Sequence, residues 1–252
     1  MMDVGKRKVN QKMKSLMELT EHMKKHKDAV IIIGSEVNQL KKEYSKETFN
    51  EVYNRKNFKR NPDALWDFYN ENILTDIDDN NIYNLIKKLD YALVVNQNIN
   101  SPIKENAFNI HGNVNVYMCP KCKTIYTSDY VYSEDGQHTD CELCEGKLRP
   151  SILLTGERYD QAMFDNLKDN LISTHTLILI GMDYTEQPLL DLIADYGDIK
   201  SQMAAAGDPE NQKALVVIQS AEQEFDPNEV TFCDFLVKDN IENALSRLIK
   251  EY

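Results

Sequence analysis

The sequence predicts an α/β protein in which a doubly wound parallel sheet is interrupted by a small four-cysteine module. Three observations carry that prediction. Short continuous runs of Val, Ile and Leu recur along the chain, as in 29–34, 91–96, 176–181 and 214–219. Such runs suit parallel strands covered on both faces. Segments with helical spacing separate most of these runs, which is the pattern of a parallel sheet with crossover helices. Between the second run and the later ones stand Cys119-Pro-Lys-Cys122 and Cys141-Glu-Leu-Cys144.

The elements follow in order. Residues from about Val9 to Lys27 read as an amphipathic helix presenting Met13, Leu16, Met17 and Met23 on one side. Ala29 to Ile33 reads as a buried strand, and Gly34 as the turn that ends it. Val37 to about Asn57 is polar and helix-prone. Asn61-Pro62 and the aromatic group Leu65, Trp66, Phe68 and Tyr69 come next. Ile82, Leu85, Ile86 and Leu89 form a helical stripe before the second strand, Tyr91 to Asn96. Beyond the cysteines, Ile152 to Thr155, Thr176 to Gly181, Ala214 to Gln219 and Phe235 to Lys238 bring the sheet to about six strands. Met203 to Asn211 reads as a surface loop. The last helix, Asn240 to about Lys250, buries Ile241, Ala244, Leu245, Leu248 and Ile249.

Sheets of this kind bind ligands outside the carboxyl ends of their strands. Those ends are Gly34-Ser35-Glu36, Asn96-Gln97-Asn98, Thr155-Gly156-Glu157, Gly181-Met182-Asp183 and Gln219-Ser220.

Composition narrows the functional classes. A hydrophobic content of 42% is that of a globular chain. No apolar run approaches the length of a membrane-spanning helix, and no apolar stretch of signal-peptide type stands near the N-terminus. The net charge is −12, yet the first 27 residues hold eight Lys/Arg and three Asp/Glu, so the rest carries −17. An acidic body argues against a general nucleic-acid surface. The basic start reads as a solvated helix face. Metal-type cysteine spacing plus one isolated cysteine, Cys233, places the chain in a reducing cytoplasm, with Cys233 a packed thiol.

Each CxxC pair sets two thiolates on one tight turn. The connection from Lys123 to Asp140 is long enough to fold the second turn back onto the first. Four thiolates then close a tetrahedral, structural Zn²⁺ site on Cys119, Cys122, Cys141 and Cys144. The alternatives are two disulfides or two redox pairs. The residues between the pairs are polar, so the metal is expected to supply most of the folding energy of module 116–150.

The order of landmarks resembles the sirtuins, the NAD-dependent protein deacylases. Asn61-Pro62-x-x-Leu65-Trp66-x-Phe68-Tyr69 is similar to that family's helical segment, and Gln97-Asn98-Ile99-Asn100 to its Gln-Asn-Ile-Asp. His111-Gly112 is similar to its catalytic His-Gly. The four cysteines resemble its ribbon, and Arg149-Pro150 through Gly156-Glu157 the segment leading to its Phe-Gly-Glu. The likeness runs from Ala29 to Ile249. It implies a Rossmann-like domain over 29–115 and 151–252, after an N-terminal helix in 1–28. It also implies a small domain made of a helical part near 40–75 and the zinc ribbon. It further implies NAD as cofactor and an acylated protein as substrate, with a histidine as general base on a ribose hydroxyl. By position His111 is that base and Asn98 a ribose contact. Gly34, Ser35, Glu36, Gln97, Asn98, Asn100, Gly181, Met182, Asp183 and Gln219 are then the cofactor-binding residues.

The chain departs from the family where the cofactor sits. The family's Gly-Ala-Gly is Gly34-Ser35-Glu36 here, and its following Pro-Asp-Phe-Arg is absent. Its Gly-Thr-Ser is Gly181-Met182-Asp183, its motif Asp is Asn100, and the Phe before Gly-Glu is Thr155. Glu36 and Asp183 bring carboxylates to a place made for phosphate or ribose. Glu36 also reads as an internal anion satisfying a helix N-terminus. Three functions stay open on this reading: NAD-dependent deacylation, a non-catalytic binding module on the same scaffold, and ADP-ribosyl transfer to protein.

Overall fold

The computed structural model describes residues 16–37, 51–73, 81–103, 105–182, 184, 187–207, 211–222 and 233–252. Helix α1 (Leu16–His26) leads into β1 (Ala29–Ile33). Two short helices follow, α2 (Arg55–Arg60) and α3 (Pro62–Phe68), the second running on into a wide turn over Tyr69–Ile73. Helix α4 (Asn81–Ile86) precedes β2 (Ala92–Asn96) and β3 (Ala107–Asn109). The cysteine region holds β4 (Gly112–Met118), β5 (Ile125–Thr127), α5 (Ser128–Val131), β6 (Tyr132–Ser133), β7 (Gly136–Gln137) and β8 (Arg149–Ile152). Then come α6 (Gln161–Ser173), β9 (Thr176–Ile180), α7 (Gln187–Ala206), β10 (Ala214–Gln219), β11 (Phe235–Lys238) and α8 (Ile241–Glu251).

The main sheet runs β11-β10-β9-β1-β2-β3, and every pair is parallel. Strand residues alternate between its faces. Ile31 and Ile33 pack with Leu19, Met23, Tyr83 and Leu245 on one face. Val30 and Ile32 pack with Leu167, Leu171, Leu189 and Ile193 on the other. From β1 the chain winds outward to β2 and β3, then returns to the far side of β1 for β9. The order therefore reverses between β1 and β9, and in sheets of this kind such a reversal opens a crevice beyond the carboxyl ends.

A third core belongs to the cysteine region and the helices before it. Tyr53, Phe58, Leu65, Trp66, Tyr69 and Ile73 bury against Val114, Tyr117, Tyr126, Val131 and Leu148. Trp66 Nε1 inside it donates to Leu148 O at 2.9 Å, and the Tyr69 hydroxyl to Val114 O at 2.9 Å. The Tyr69 and Tyr117 hydroxyls lie 2.8 Å apart. The cysteine module thus shares an apolar core with α2 and α3, and the metal is not its sole support.

Several expectations need correction. The segment 152–155 is not a strand of the main sheet. Ile152 ends β8, which pairs antiparallel with β4, and the sixth parallel strand is β3. The buried face of α1 carries Leu19 and Met23, whereas Met17 is 65% exposed. Residues 203–206 continue α7 instead of forming a loop. Of the helix-prone stretch 37–57, Val37 closes a short 3-10 turn from Ser35, 51–52 are helical and 55–57 open α2; 38–50 lie outside the described residues, as do 9–15. Among the described residues no helix is long and apolar enough to cross a membrane.

Candidate cofactor cleft and metal centre

The four cysteines converge. Their Sγ atoms all lie within 4.8 Å of one another, with Cys119 to Cys144 and Cys122 to Cys141 both at 3.5 Å. Sulfurs at the corners of a tetrahedron around Zn²⁺ stand about 3.8 Å apart, given a Zn–S bond of about 2.3 Å. The two turns are built alike. Lys123 N donates to Cys119 O and Glu145 N to Cys141 O, each at 2.8 Å. Cys119 N donates to Thr124 O at 2.9 Å and Cys141 N to Gly146 O at 2.8 Å. Lys123 (φ 67°) and Glu145 (φ 57°) both take the left-handed conformation that closes such a turn. The Cys122 thiol is pulled down to about 6 by its hydrogen bonds with Thr124, which favours the thiolate that a metal takes. Donor set, spacing and turn geometry all fit a structural zinc ion. The five cysteines are unbridged.

The crevice between β1 and β9 is narrow at its floor. Gly34 N donates to Ile180 O at 2.8 Å, and Glu36 N to Gly181 O at 3.0 Å. A Cβ on Gly34 would stand 2.2 Å from Gly181 O, a backbone atom that cannot swing aside. Gly181 has φ 59°, and a Cβ there would stand 2.8 Å from that of Glu36. Gly34→Ala is therefore expected to cost about 3 kcal/mol, the upper range for forced overpacking. An unchanged urea midpoint would show that β1 and β9 separate at their ends without penalty.

Glu36 does not project into open space. Its carboxylate accepts from the Ser220 hydroxyl at 2.8 Å and from Ser220 N at 3.3 Å. This bond spans the ends of β1 and β10 across the mouth of β9. Ser220 was legible only as the residue ending a strand, and nothing in the chain order marks it as the partner of Glu36. Asp183 lies outside the described residues. Met182 is buried, and Gln219 is buried at the end of β10.

Asn98, Gln97 and His111 come together beside Gly34. Asn98 Nδ2 donates to Gly34 O at 3.0 Å and to the Tyr83 hydroxyl at 3.2 Å. Its backbone N–H is held by Asn96 Oδ1 at 3.1 Å. Burial pushes the Tyr83 hydroxyl upward against the opposing effect of its bonds to Asn98 and Asn96, so it stays a neutral donor. His111 Nδ1 lies 2.5 Å from Gln97 O, and Nε2 lies 3.5 Å from the Tyr159 hydroxyl. A carbonyl only accepts, so Nδ1 carries the proton and Nε2 the lone pair. Tyr83 and Tyr159 are the residues missed by the sequence reading. Tyr83 sits within the helical stripe of α4 but carries no chemical motif.

Asn100 is 1% exposed, and among the described residues neither amide atom has a hydrogen-bond partner. A buried amide left unpaired costs about 1–3 kcal/mol per group, so a ligand that supplies a donor and an acceptor is favoured there. A ligand carrying polar groups would therefore suit Asn100, and one carrying negative charge would meet an anion at Glu36. The Thr155-Gly156-Glu157 turn follows Leu153, whose N–H donates to His111 O at 2.8 Å. Buried Arg149 grips both oxygens of Glu157 at 2.8 and 2.9 Å and donates to Ile152 O at 2.6 Å. Thr155 N reaches Tyr53 O at 2.8 Å, tying the turn to the residues before α2.

Comparison with known proteins agrees with this geometry. The Sir2 family model matches residues 37–188. An NAD-dependent protein deacetylase of Staphylococcus epidermidis is 27% identical over 145 residues, 54% of this chain and 58% of that protein. One from Staphylococcus aureus strain MSSA476 is 27% identical over 144 residues, with the same coverage of each. The chain thus spans less than two thirds of the length of the curated relatives it matches. A solved Sir2 homolog–NAD complex superposes with a TM-score of 0.70 at 16% identity, covering 92% of each chain. A Sir2–p53 peptide–NAD+ structure gives 0.69 at 19% identity, covering 94% of this chain and 98% of that one. With the family model matching more than half of its length, the chain belongs to the Sir2 family.

Proposed function

We propose that this protein carries out sirtuin-type chemistry, the NAD-dependent removal of an acyl group from protein lysine, at a crevice that Glu36 partly closes. The observation that carries the proposal is the fixed tautomer of His111. With Nδ1–H on Gln97 O at 2.5 Å, Nε2 is the basic nitrogen. On this reading it takes a proton from a hydroxyl and holds it while the acyl group moves. NAD, when bound, supplies the scissile bond to nicotinamide and the sugar that accepts the acyl group. Asn98, pinned by Gly34 O and Tyr83, would position the ribose, and Asn100 would meet a polar group of the base or sugar. Gly34, Ser35, Gln97, Gly181, Met182, Asp183 and Gln219 line the remaining cofactor positions on this reading. The Staphylococcus relatives, NAD-dependent protein deacetylases by name, support the same substrate class. Residues 29–115 and 151–252 then form the dinucleotide unit, and 116–150 with α2 and α3 the unit that closes over it.

One observation favours a second reading, a non-catalytic binding module. The Glu36 carboxylate, held by Ser220, puts a negative charge just beyond the end of β1, which disfavours a diphosphate there. The two readings separate in one experiment. Purified protein is mixed with NAD and an acetyl-lysine peptide, and nicotinamide release is followed. Slow release that is lost in His111→Ala, with the melting rise caused by ADP-ribose retained, supports the enzyme. No release and no melting shift at millimolar NAD supports the binding module.

A further inference from the structure

Three of the chain's five histidines meet at the opposite end of the sheet from the crevice. His22 and His26 are four residues apart on α1, so they share one face of the helix. His175 stands just before β9, next to the entry of β1. The His22 and His26 rings lie 4.6 Å apart, and those of His26 and His175 lie 4.1 Å apart. Asp28 takes the Nδ1 of His175 at 2.6 Å and its backbone N–H at 2.8 Å. A carboxylate on one imidazole nitrogen fixes the ring and makes the other nitrogen a better electron donor, which is the usual arrangement behind a metal-bound histidine.

We infer that His22, His26 and His175, with Asp28 behind His175, form a second metal site, for a divalent transition ion of the zinc class. Neutral imidazoles select borderline ions such as Zn²⁺, Ni²⁺ and Cu²⁺ over Mg²⁺ or Ca²⁺. The i, i+4 histidine pair on a helix is a proven bidentate geometry for zinc. The rings are half-exposed, so an ion from solvent reaches them; the His175 side chain is 23% exposed. The His26 and His175 rings now lie flat on each other, 15° from parallel, so their nitrogens do not point at one spot. Among the described residues only the four cysteines hold ligand atoms all within 4.8 Å. Metal binding on this inference requires the partly exposed His26 ring to turn about its side-chain bonds and leave the stack. His22 Nε2 lies 3.2 Å from His175 O, on the side of the helix that faces His175. Lys24 is drawn away to Glu251 O at 2.7 Å, and the Asp28 carboxylate offsets part of the incoming charge.

The test uses untagged full-length protein with its cysteine site already loaded, titrated calorimetrically with zinc chloride. Wild type is expected to take one further equivalent. His26→Asn and His22→Gln, both at half-exposed positions that tolerate change, should each weaken that equivalent at least tenfold. Asp28→Asn should weaken it severalfold, and His138→Asn, in the ribbon, should leave it unchanged. A wild type that takes no further zinc overturns the inference. So does a second equivalent that survives both His22→Gln and His26→Asn, which would mark adventitious binding.

Discussion

Stripping the metal from the four cysteines is expected to produce the largest change of any single perturbation of this protein. Structural zinc contributes about 10–16 kcal/mol of binding free energy in small modules, and that energy is folding energy. Here the module also leans on the shared core of Trp66, Tyr69, Tyr117 and Tyr126, so part of its packing outlasts the metal. The chain has a single tryptophan, and it reports on that core. Trp66 stacks on Tyr117 with ring centroids 5.8 Å apart and donates to Leu148 O, four residues after the last ligand. A strong chelator, or Cys119→Ser, should shift Trp66 fluorescence to the red and lower the melting temperature by more than about 10 °C, since each kcal/mol moves a chain of this size by about 2–4 °C. The sheet should keep its far-ultraviolet signal. Elemental analysis of untreated protein should find zinc on the cysteines. Freshly purified protein without zinc, or with Trp66 emission indifferent to chelation, would return the cysteines to a disulfide or redox reading.

What could be read from the sequence was what is local. The strands β1, β9 and β10 are continuous runs rich in Ile, Leu and Val, and a run of that kind suits the covered middle of a parallel sheet. The two CxxC turns were equally plain, because each half-site is complete within five residues. Strand β3 was missed because Ala107-Phe108-Asn109 is a three-residue edge with no periodicity to detect. Ile152-Leu-Leu was misassigned because an apolar run does not reveal its partner. Here that partner is β4, reached by an antiparallel pairing. On α1, Met17 and Leu19 are both apolar, and only packing against β1 and α8 decides which one is buried. The hydrogen bond from Ser220 to Glu36 joins residues 184 positions apart, and no local rule predicts it. The motif residues Asn98 and His111 were legible as candidates. Their settings were not, because Tyr83, Gln97 O and Tyr159 act through space.

Neutralising Glu36 is expected to strengthen ADP-ribose binding by about a hundredfold. Two like charges about 6 Å apart at an effective dielectric near 20 repel by about 3 kcal/mol, which is two decades of affinity. The choice of replacement separates charge from packing. Glu36→Gln keeps the side chain's length and its hydrogen bond from the Ser220 hydroxyl, so it removes charge alone. Glu36→Gly removes the side chain as well, opening space beside Gly181, where an added Cβ would meet that of Glu36 at 2.8 Å. If repulsion is the barrier, Glu36→Gln should recover most of the gain. If the side chain is a plug, only Glu36→Gly should gain, and Ser220→Ala should gain part of it by releasing the carboxylate. Asp183→Ser removes the second anion. Combined with Glu36→Gln it should exceed the sum of the single changes if either carboxylate alone blocks the phosphates. Calorimetric titration with ADP-ribose and NAD decides among these outcomes. Tight NAD binding by wild type would show that Glu36 swings clear of the crevice at little cost, making the Ser220 bond a resting contact. No gain in any variant would mean that close packing of Gly34 on Gly181 shuts the crevice, and the scaffold would then serve binding without dinucleotide chemistry.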